Sequence, residues 1–214
     1  MNFDRIAPFY RLMESVTAGK KLQQCRTAFL GEIPRPRNVL VLGDGNGSCL
    51  LEMVLRFPKA SFTTIDSSSK MLALARKRIA KNAPEAPTIQ FVHADAQDCQ
   101  FPARTFDLIV THFFLDCFKA DELGKLIPKI AAAASPGANW LISDFREAAS
   151  GPAKVRSRII LKMLYRFFRT ATNLSAEELT PPDGYLKQSG YSIKERRFFE
   201  AGLLHSDWWI ATSQ

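Results

Sequence analysis

Val39-Leu40-Val41-Leu42-Gly43-Asp44-Gly45-Asn46-Gly47 reads as a buried strand that runs into a glycine turn and opens a helix. A second strand follows and ends on a carboxylate, Phe62-Thr63-Thr64-Ile65-Asp66. Glycine lets a backbone turn sharply and approach a ligand closely, and an acidic residue about twenty positions further on can accept both hydroxyls of a ribose. Turn and carboxylate together describe a nucleoside site. Dinucleotide folds use G-x-G-x-x-G, with the pyrophosphate on the helix N-terminus and the third glycine allowing close helix packing. Here the spacing is G-x-G-x-G, continued by Ser48-Cys49-Leu50. That favours a ligand without a pyrophosphate, such as S-adenosylmethionine (SAM), over NAD.

Outward from this stretch the pattern alternates. Strands are expected at 38–43, 61–66, 88–93, 106–111 and 138–144, the last after a turn at Pro136-Gly137. Helices are expected at 46–56, at 69–82 with Met71, Leu72, Ala75 and Ile79 at helical spacing, and at 120–134. Continuous apolar runs such as Phe106 to Val110 are what parallel strands covered on both faces require. Residues 150–190 read as helical, broken by Thr180-Pro181-Pro182-Asp183-Gly184. Tyr191–Phe199 and Leu204–Thr212, joined by Glu200-Ala201-Gly202, predict an antiparallel hairpin at the sheet edge. Upstream, residues 3–31 read as two helices broken near Gly19. The predicted fold is α/β: a doubly wound, mostly parallel, seven-stranded Rossmann-like sheet with a C-terminal antiparallel hairpin. Nothing in composition splits residues 1–214 into more than one domain.

Cys25, Cys49, Cys99 and Cys117 are scattered without a C-x-x-C pair, and a chain of this size needs no disulfide staples, so a reduced, cytoplasmic protein is expected. The N-terminus lacks the basic head and apolar run of a secretory signal, and no stretch approaches a membrane span of about 20 apolar residues. His93, His112 and His205 are too dispersed for a zinc site, so no metal is expected, and for His93 and His205 an isolated core or surface histidine is the better reading. The net charge of +8 suits nucleic acid, an anionic membrane surface, an acidic substrate or plain solubility. Its distribution is more informative: Arg146, Lys154, Arg156, Arg158, Lys162, Arg166 and Arg169 crowd into one interval.

Taken in order, these segments resemble the class I SAM-dependent methyltransferases, most closely those of ubiquinone and menaquinone biosynthesis and their small-molecule relatives. The resemblance implies SAM as cofactor and assigns roles position by position. Phe3-Asp4-Arg5-Ile6-Ala7-Pro8-Phe9-Tyr10 looks like the family's N-terminal segment, a helical lid within residues 1–35 that brings Tyr10 over the cofactor. Gly43, Gly45 and Gly47, with Asp44 and Asn46 between them, match the glycine motif, and Asp66 matches the ribose carboxylate, with Ser67 and Met71 beside it. Asp95-Ala96 falls at the adenine motif, and Thr111-His112 where the methionine part of the cofactor meets the acceptor. The family's acidic residue near the end of the first strand is replaced by Val41. Asp44 either takes over that pairing with the methionine amine or bonds backbone N–H groups in its own loop; both readings stay open. Ser67-Ser68-Ser69 is polar where relatives continue with Pro or Met, and is expected to cap the next helix.

Methyl transfer from a sulfonium needs orientation, a dry pocket and in some cases one base. His112 and Asp116, in the apolar run after the fourth strand, are the candidate catalytic residues. Each has a plainer reading: His112 orienting the cofactor, Asp116 anchoring a helix that begins near Lys119. Asp144 is a third acid at the same sheet edge, with Arg146 as a ready ion-pair partner. Within the helical insertion 146–190, Val155, Ile159, Ile160, Met163, Leu164, Phe167 and Phe168 form an apolar face opposite Arg158, Lys162, Tyr165, Arg166 and Arg169. This basic helix, 154–169, reads as a helix with a solvated charged face, as a lid over an apolar or acidic acceptor, or as a peripheral contact with anionic lipid; the resemblance favours the lid. The expected acceptor is a small, apolar or aromatic molecule methylated at oxygen or carbon. Nucleic acid is disfavoured because Thr111-His112-Phe113-Phe114 replaces the base-methylation motifs. A non-catalytic SAM-binding module is the remaining alternative.

Overall fold

The computed structural model describes residues 19–172 and 179–212. The first expected helix and Tyr10 lie outside the described residues. The described chain begins with α1 (Gly19–Arg26) and then alternates: β1 (Asn38–Leu42), α2 (Ser48–Arg56), β2 (Ser61–Asp66), α3 (Ser69–Asn82), β3 (Ile89–His93) and β4 (Phe106–His112). It continues with α4 (Ala120–Ala132), β5 (Ala134–Phe145), α5 (Gly151–Thr172), α6 (Asp183–Gln188), β6 (Tyr191–Phe199) and β7 (Leu204–Ala211). All seven strands form one sheet in the order β3-β2-β1-β4-β5-β7-β6. β1 to β5 run parallel, whereas β7 is antiparallel to both β5 and β6. This is the doubly wound, Rossmann-like arrangement with a C-terminal antiparallel hairpin that the alternation predicts.

Side chains alternate across a strand, so each central strand feeds two cores. Val39 and Val41 of β1, with Leu108, Val110 and Leu141, pack under Leu50, Met53 and Val54 of α2 and Ile79 of α3. Leu40 and Leu42, with Ile109, Trp140 and Ile142, pack under Leu123, Leu126, Ile127 and Ile130 of α4. The adjacent pair on β7 splits as a strand requires: Trp208 enters the first core and Trp209 the second. Phe198 on β6 does not follow suit. It stays exposed at the sheet edge, where the Arg146 guanidinium lies over its ring.

Several boundaries differ from the sequence reading for local reasons. α2 begins at Ser48 and not at 46, because Gly47 sits at φ +78 as its N-cap. The polar Ser67-Ser68-Ser69 does cap α3, Ser68 Oγ accepting the Met71 N–H at 3.2 Å. β5 starts at Ala134, before the expected Pro136-Gly137 turn. There Phe106 pairs with Ala134 but Leu108 with Asn139, so the Pro-Gly segment bulges out of the strand instead of preceding it. The helix breaker 180–184 ends early, since α6 starts at Asp183 with Pro182 as its N-cap.

A Cβ on Gly47 would fall 2.7 Å from Cβ of Ala75 on α3, in a left-handed backbone. Gly47 therefore holds α2 against α3. Gly47→Ala is expected to destabilise the protein by about 2–4 kcal/mol, as overpacking and a strained φ act together. Gly184→Ala, where nothing lies within 4 Å, should leave stability unchanged or raise it. Urea midpoints of the two variants check this.

Candidate active site

Two cavities open at the carboxyl ends of the parallel strands, the edge where open α/β sheets bind ligands. The smaller, about 80 Å³, is lined by Gly43 and Gly45 of the first turn, Ile65, Asp66, Ser67 and Met71 after β2, and Ala94, Asp95 and Ala96 after β3. Phe113, Phe114, Cys117 and Phe118 close it. Asp66 organises this corner: its Oδ2 accepts the Gly45 N–H at 3.2 Å and its Oδ1 the Ser68 N–H at 2.8 Å. The group expected here fits the residues present, since the Asp66 carboxylate at the end of β2 stands beside the apolar Ile65, Ala94, Ala96 and Phe118. The Phe114 ring narrows the space, packing so closely on Gly43 that a Cβ there would meet it at 2.5 Å. The cavity is thus smaller than the roughly 300 Å³ at which ligand pockets begin.

Other residues read from the glycine motif shape the loop from behind. Asp44 is buried and its Oδ2 accepts the Leu50 N–H at 3.0 Å, so of the two readings left open it is the backbone-bonding one that the geometry shows. Burial pushes its carboxyl up to about 6, against the pull of the nearby Arg26 cation. Asn46 accepts from Ser48 N–H at 3.2 Å and from Ser48 Oγ at 2.6 Å. Asp44, Asn46 and Gly47 are not brought to the cavity wall.

The end of β4 requires a further correction. Thr111 is fully buried and accepts the Trp140 Nε1–H at 2.9 Å, which commits it to the core. His112 is buried too, and neither ring nitrogen has a hydrogen-bond partner among the described residues. Burial, with Arg26 adding to it, pushes the imidazole down to about 3, too weak a base to hold a proton near neutral pH. His112 lines neither cavity, and the role of base does not fit it. Instead the chain turns sharply: Phe113 takes φ +53, donates its N–H to Ser143 O at 2.6 Å, and leads into a 3-10 turn, Leu115–Cys117.

That turn separates the two cavities. Cys117 faces the smaller one, while Asp116 faces a chamber of about 780 Å³. Asp116 does not anchor α4, whose first turn is capped by Glu122 accepting the Lys119 N–H at 2.8 Å. The chamber floor holds Asp116, Asp144 of β5 and His205 of β7; Asp144 and His205 are opposite each other across the β5–β7 pairing. Phe145, Leu161, Tyr165, Leu179, Pro181 and Pro182 form apolar walls, and Arg146, Glu147, Arg158, Lys162, Asp183 and Arg196 the charged rim.

Arg146 forms no ion pair with Asp144 among the described residues; it lies over Phe198 and its Nε reaches Glu147 O at 3.4 Å. Asp144 is buried, and as a carboxylate neither of its oxygens has a donor among the described residues. Its neighbour is the Asp116 carboxyl, and one proton shared between the two satisfies both. Burial, then the Asp116 charge, holds Asp144 well above the usual carboxylate range. Burial lifts Asp116 as well, to about 6. Behind them His205 Nδ1 bonds Asp207 Oδ1 at 2.9 Å, and Asp207 is clamped by Arg196 at 2.7 and 2.5 Å. His205 is therefore part of the chamber and not an isolated histidine. The signal was present in the sequence: residues two apart on a strand share a face, so Asp207 had to point with His205.

Residues 39–137 match the model of a family described as a methyltransferase domain. The chain is similar to the demethylmenaquinone methyltransferase of Thermus thermophilus, with 29% identity over 171 residues covering 77% of this chain and 74% of that protein. These matches support a class I, SAM-dependent methyltransferase. It also resembles the trans-aconitate 2-methyltransferase of Paracidovorax citrulli, 36% identical over 144 residues covering 58% of this chain, but it spans only about half, 52%, of that relative. A SAM-dependent methyltransferase structure from Methanosarcina mazei superposes with a TM-score of 0.65 at 16% identity, covering 87% of this chain and 98% of that one, which supports the fold.

For the methyltransferase domain, SAM affinity is expected to depend on Asp66. Asp66→Ala should weaken SAM by about 1.5–3 kcal/mol, at least tenfold, as the loss of a charged hydrogen-bond acceptor implies. Calorimetry on the folded variant checks this; parent-like affinity would move the ribose site elsewhere.

Proposed function

We propose that this methyltransferase moves a methyl group from SAM to a hydroxyl oxygen, or to the carbon activated by it, of a small acceptor seated in the larger chamber. The observation that carries this reading is the Leu115–Cys117 turn, one residue of which faces the cofactor cavity while its neighbour, an acid, faces the chamber. Asp66, Gly43, Gly45, Ser67, Met71, Asp95 and Ala96 would hold the cofactor. Bound there, SAM supplies a methyl group on a positively charged sulfur. The rest falls to the chain's own groups.

An acceptor hydroxyl suits the chamber floor, where the Asp116 and Asp144 carboxyls lie side by side and can exchange hydrogen bonds with it. Near neutral pH the acid pair retains one proton and carries one negative charge. Asp116 would take the hydroxyl proton as the oxygen or its conjugated carbon bonds to the methyl group and the methyl–sulfur bond breaks, leaving a neutral thioether, with Asp144 hydrogen-bonded to the acceptor beside it. Beside the apolar walls the charges of sulfonium and nucleophile are less screened than in water as they cancel. Two of the acceptors named among the relatives are demethylmenaquinone and trans-aconitate, a ring compound and an acid, and the chamber has a lining that suits each. The apolar wall suits a quinol ring and the Arg146, Arg158, Lys162 and Arg196 rim suits an acid.

A panel of quinols, phenols and small organic acids, assayed with radiolabelled SAM, should contain a turnover substrate. Label appearing instead in RNA or DNA would overturn the reading, as would tight SAM binding without transfer to any member of the panel. With the substrate found, Asp116→Asn should lower kcat by about 10²-fold or more while SAM affinity stays within a few fold. The parent rate should rise with pH through about 6, since the base works only when ionised and burial holds Asp116 at about 6. A rate flat from pH 5 to 8 would remove Asp116 from the proton transfer.

A further inference from the structure

α5 (Gly151–Thr172) contains six basic residues and no acidic one. The sequence reading placed Val155, Ile159 and Met163 on its packed side. The structure buries a different stripe: Ser157, Leu161 and Tyr165, spaced at four residues, face the protein, with the Tyr165 hydroxyl donating to Asp116 O at 3.1 Å. Leu161 and Tyr165 there form part of the chamber wall. Val155, Ile159 and Met163, also spaced at four, point to solvent with exposures of 62%, 55% and 68%. A helix with one apolar stripe against the protein and a second, unpartnered stripe outside is more than packing requires.

The surroundings of the outer stripe are cationic. Lys162 and Arg158 flank it on one side and Arg156 on the other, by the 100° step of the helix, and Arg166 continues it. Glu147 offsets part of this charge, pairing with Lys154 at 3.5 Å and Arg158 at 2.9 Å, and Glu200 approaches Arg156 at 3.8 Å. Three acid contacts from two carboxylates leave the helix face net positive. An aliphatic ridge with basic flanks is complementary to an anionic bilayer surface: the ridge enters the acyl boundary while long basic side chains reach the headgroups.

We infer that α5 docks the protein on an anionic lipid surface through Val155, Ile159 and Met163, with its inner face still roofing the acceptor chamber. This binding is independent of catalysis and is tested without it. The full chain is mixed with vesicles of phosphatidylglycerol and phosphatidylcholine, or of phosphatidylcholine alone, at physiological salt, and bound protein is separated by flotation. The expected result is binding to the anionic vesicles at least tenfold stronger than to the neutral ones. It should fall at least tenfold in the triple variant Val155→Ser, Ile159→Ser, Met163→Ser, whose SAM affinity, measured by calorimetry, stays parental and reports an intact fold. Equal binding of parent and variant, or of both vesicle types, overturns the inference. So does a concentration-dependent dimer, seen by light scattering, that the triple variant abolishes, because the ridge would then be covered by a second copy.

Discussion

The reversal of winding between β1 and β4 is the constraint on which the rest of the structure depends. β1 is hydrogen-bonded in parallel to β2 on one side and β4 on the other. Parallel neighbours need crossovers, and these leave in opposite directions: α2 and α3 cover one face, α4 the other. The loops after β1 and β4 must then part at the carboxyl edge, and a crevice opens between them. Everything proposed for this protein's chemistry sits along that crevice. Its left side is the glycine turn held by Asp66, Asp44 and Asn46; its right side is the strained turn that begins at Phe113.

That second turn is costly. A bulky aromatic at φ +53 is rare and stores about 1–3 kcal/mol. The surroundings over-determine it: Ser143 O accepts its N–H, Phe145 packs edge-on against its ring at 5.2 Å, and the buried Arg26 lies 5.1 Å from its centroid. The turn lets residues 113, 114, 117 and 118 wall one cavity while residue 116 faces the other. The acid pair at the chamber floor is a second departure from an optimal fold, since two nearby buried carboxyls stabilise nothing by themselves. Concentrated at one sheet edge, such departures mark a working site.

The fold was largely legible in the sequence because its signals are local. Continuous apolar strands, helical spacing in Met71, Leu72, Ala75 and Ile79, and a glycine turn after β1 each follow from chain physics within about fifteen residues. The lining of the smaller cavity was legible for a similar reason, as Asp66, Ser67, Asp95 and Ala96 sit at strand ends whose positions the alternation sets. What sequence could not place was direction in three dimensions. Asp44, Asn46 and Thr111 occupy the right segments but turn inward, since alternation at a strand end shifts with the final φ and ψ. For α5 both stripes are apolar, and periodicity alone cannot say which one meets the protein. His112 and Asp116 read alike as candidate bases in the sequence; full burial beside a cation sets His112 apart, and burial is a tertiary property.

Asp144 and His205 show why the acceptor side is hardest to read. They are 61 positions apart in the chain and touch the same chamber only because β7 runs opposite to β5. In a parallel seventh strand the first residues would sit at the amino edge, the far end of the sheet from Asp144. The reversal places Leu204 beside Phe145 and His205 beside Asp144, and it carries Asp207 inward with them. Asp207 then recruits Arg196 from β6, which also reaches Asp183 at the start of α6 at 2.8 Å. The terminal hairpin thus does more than finish the sheet. It supplies His205 to the chamber floor and Arg196 to its rim, and ties the start of α6 to the floor, so that acceptor geometry depends on the last strand to join the sheet.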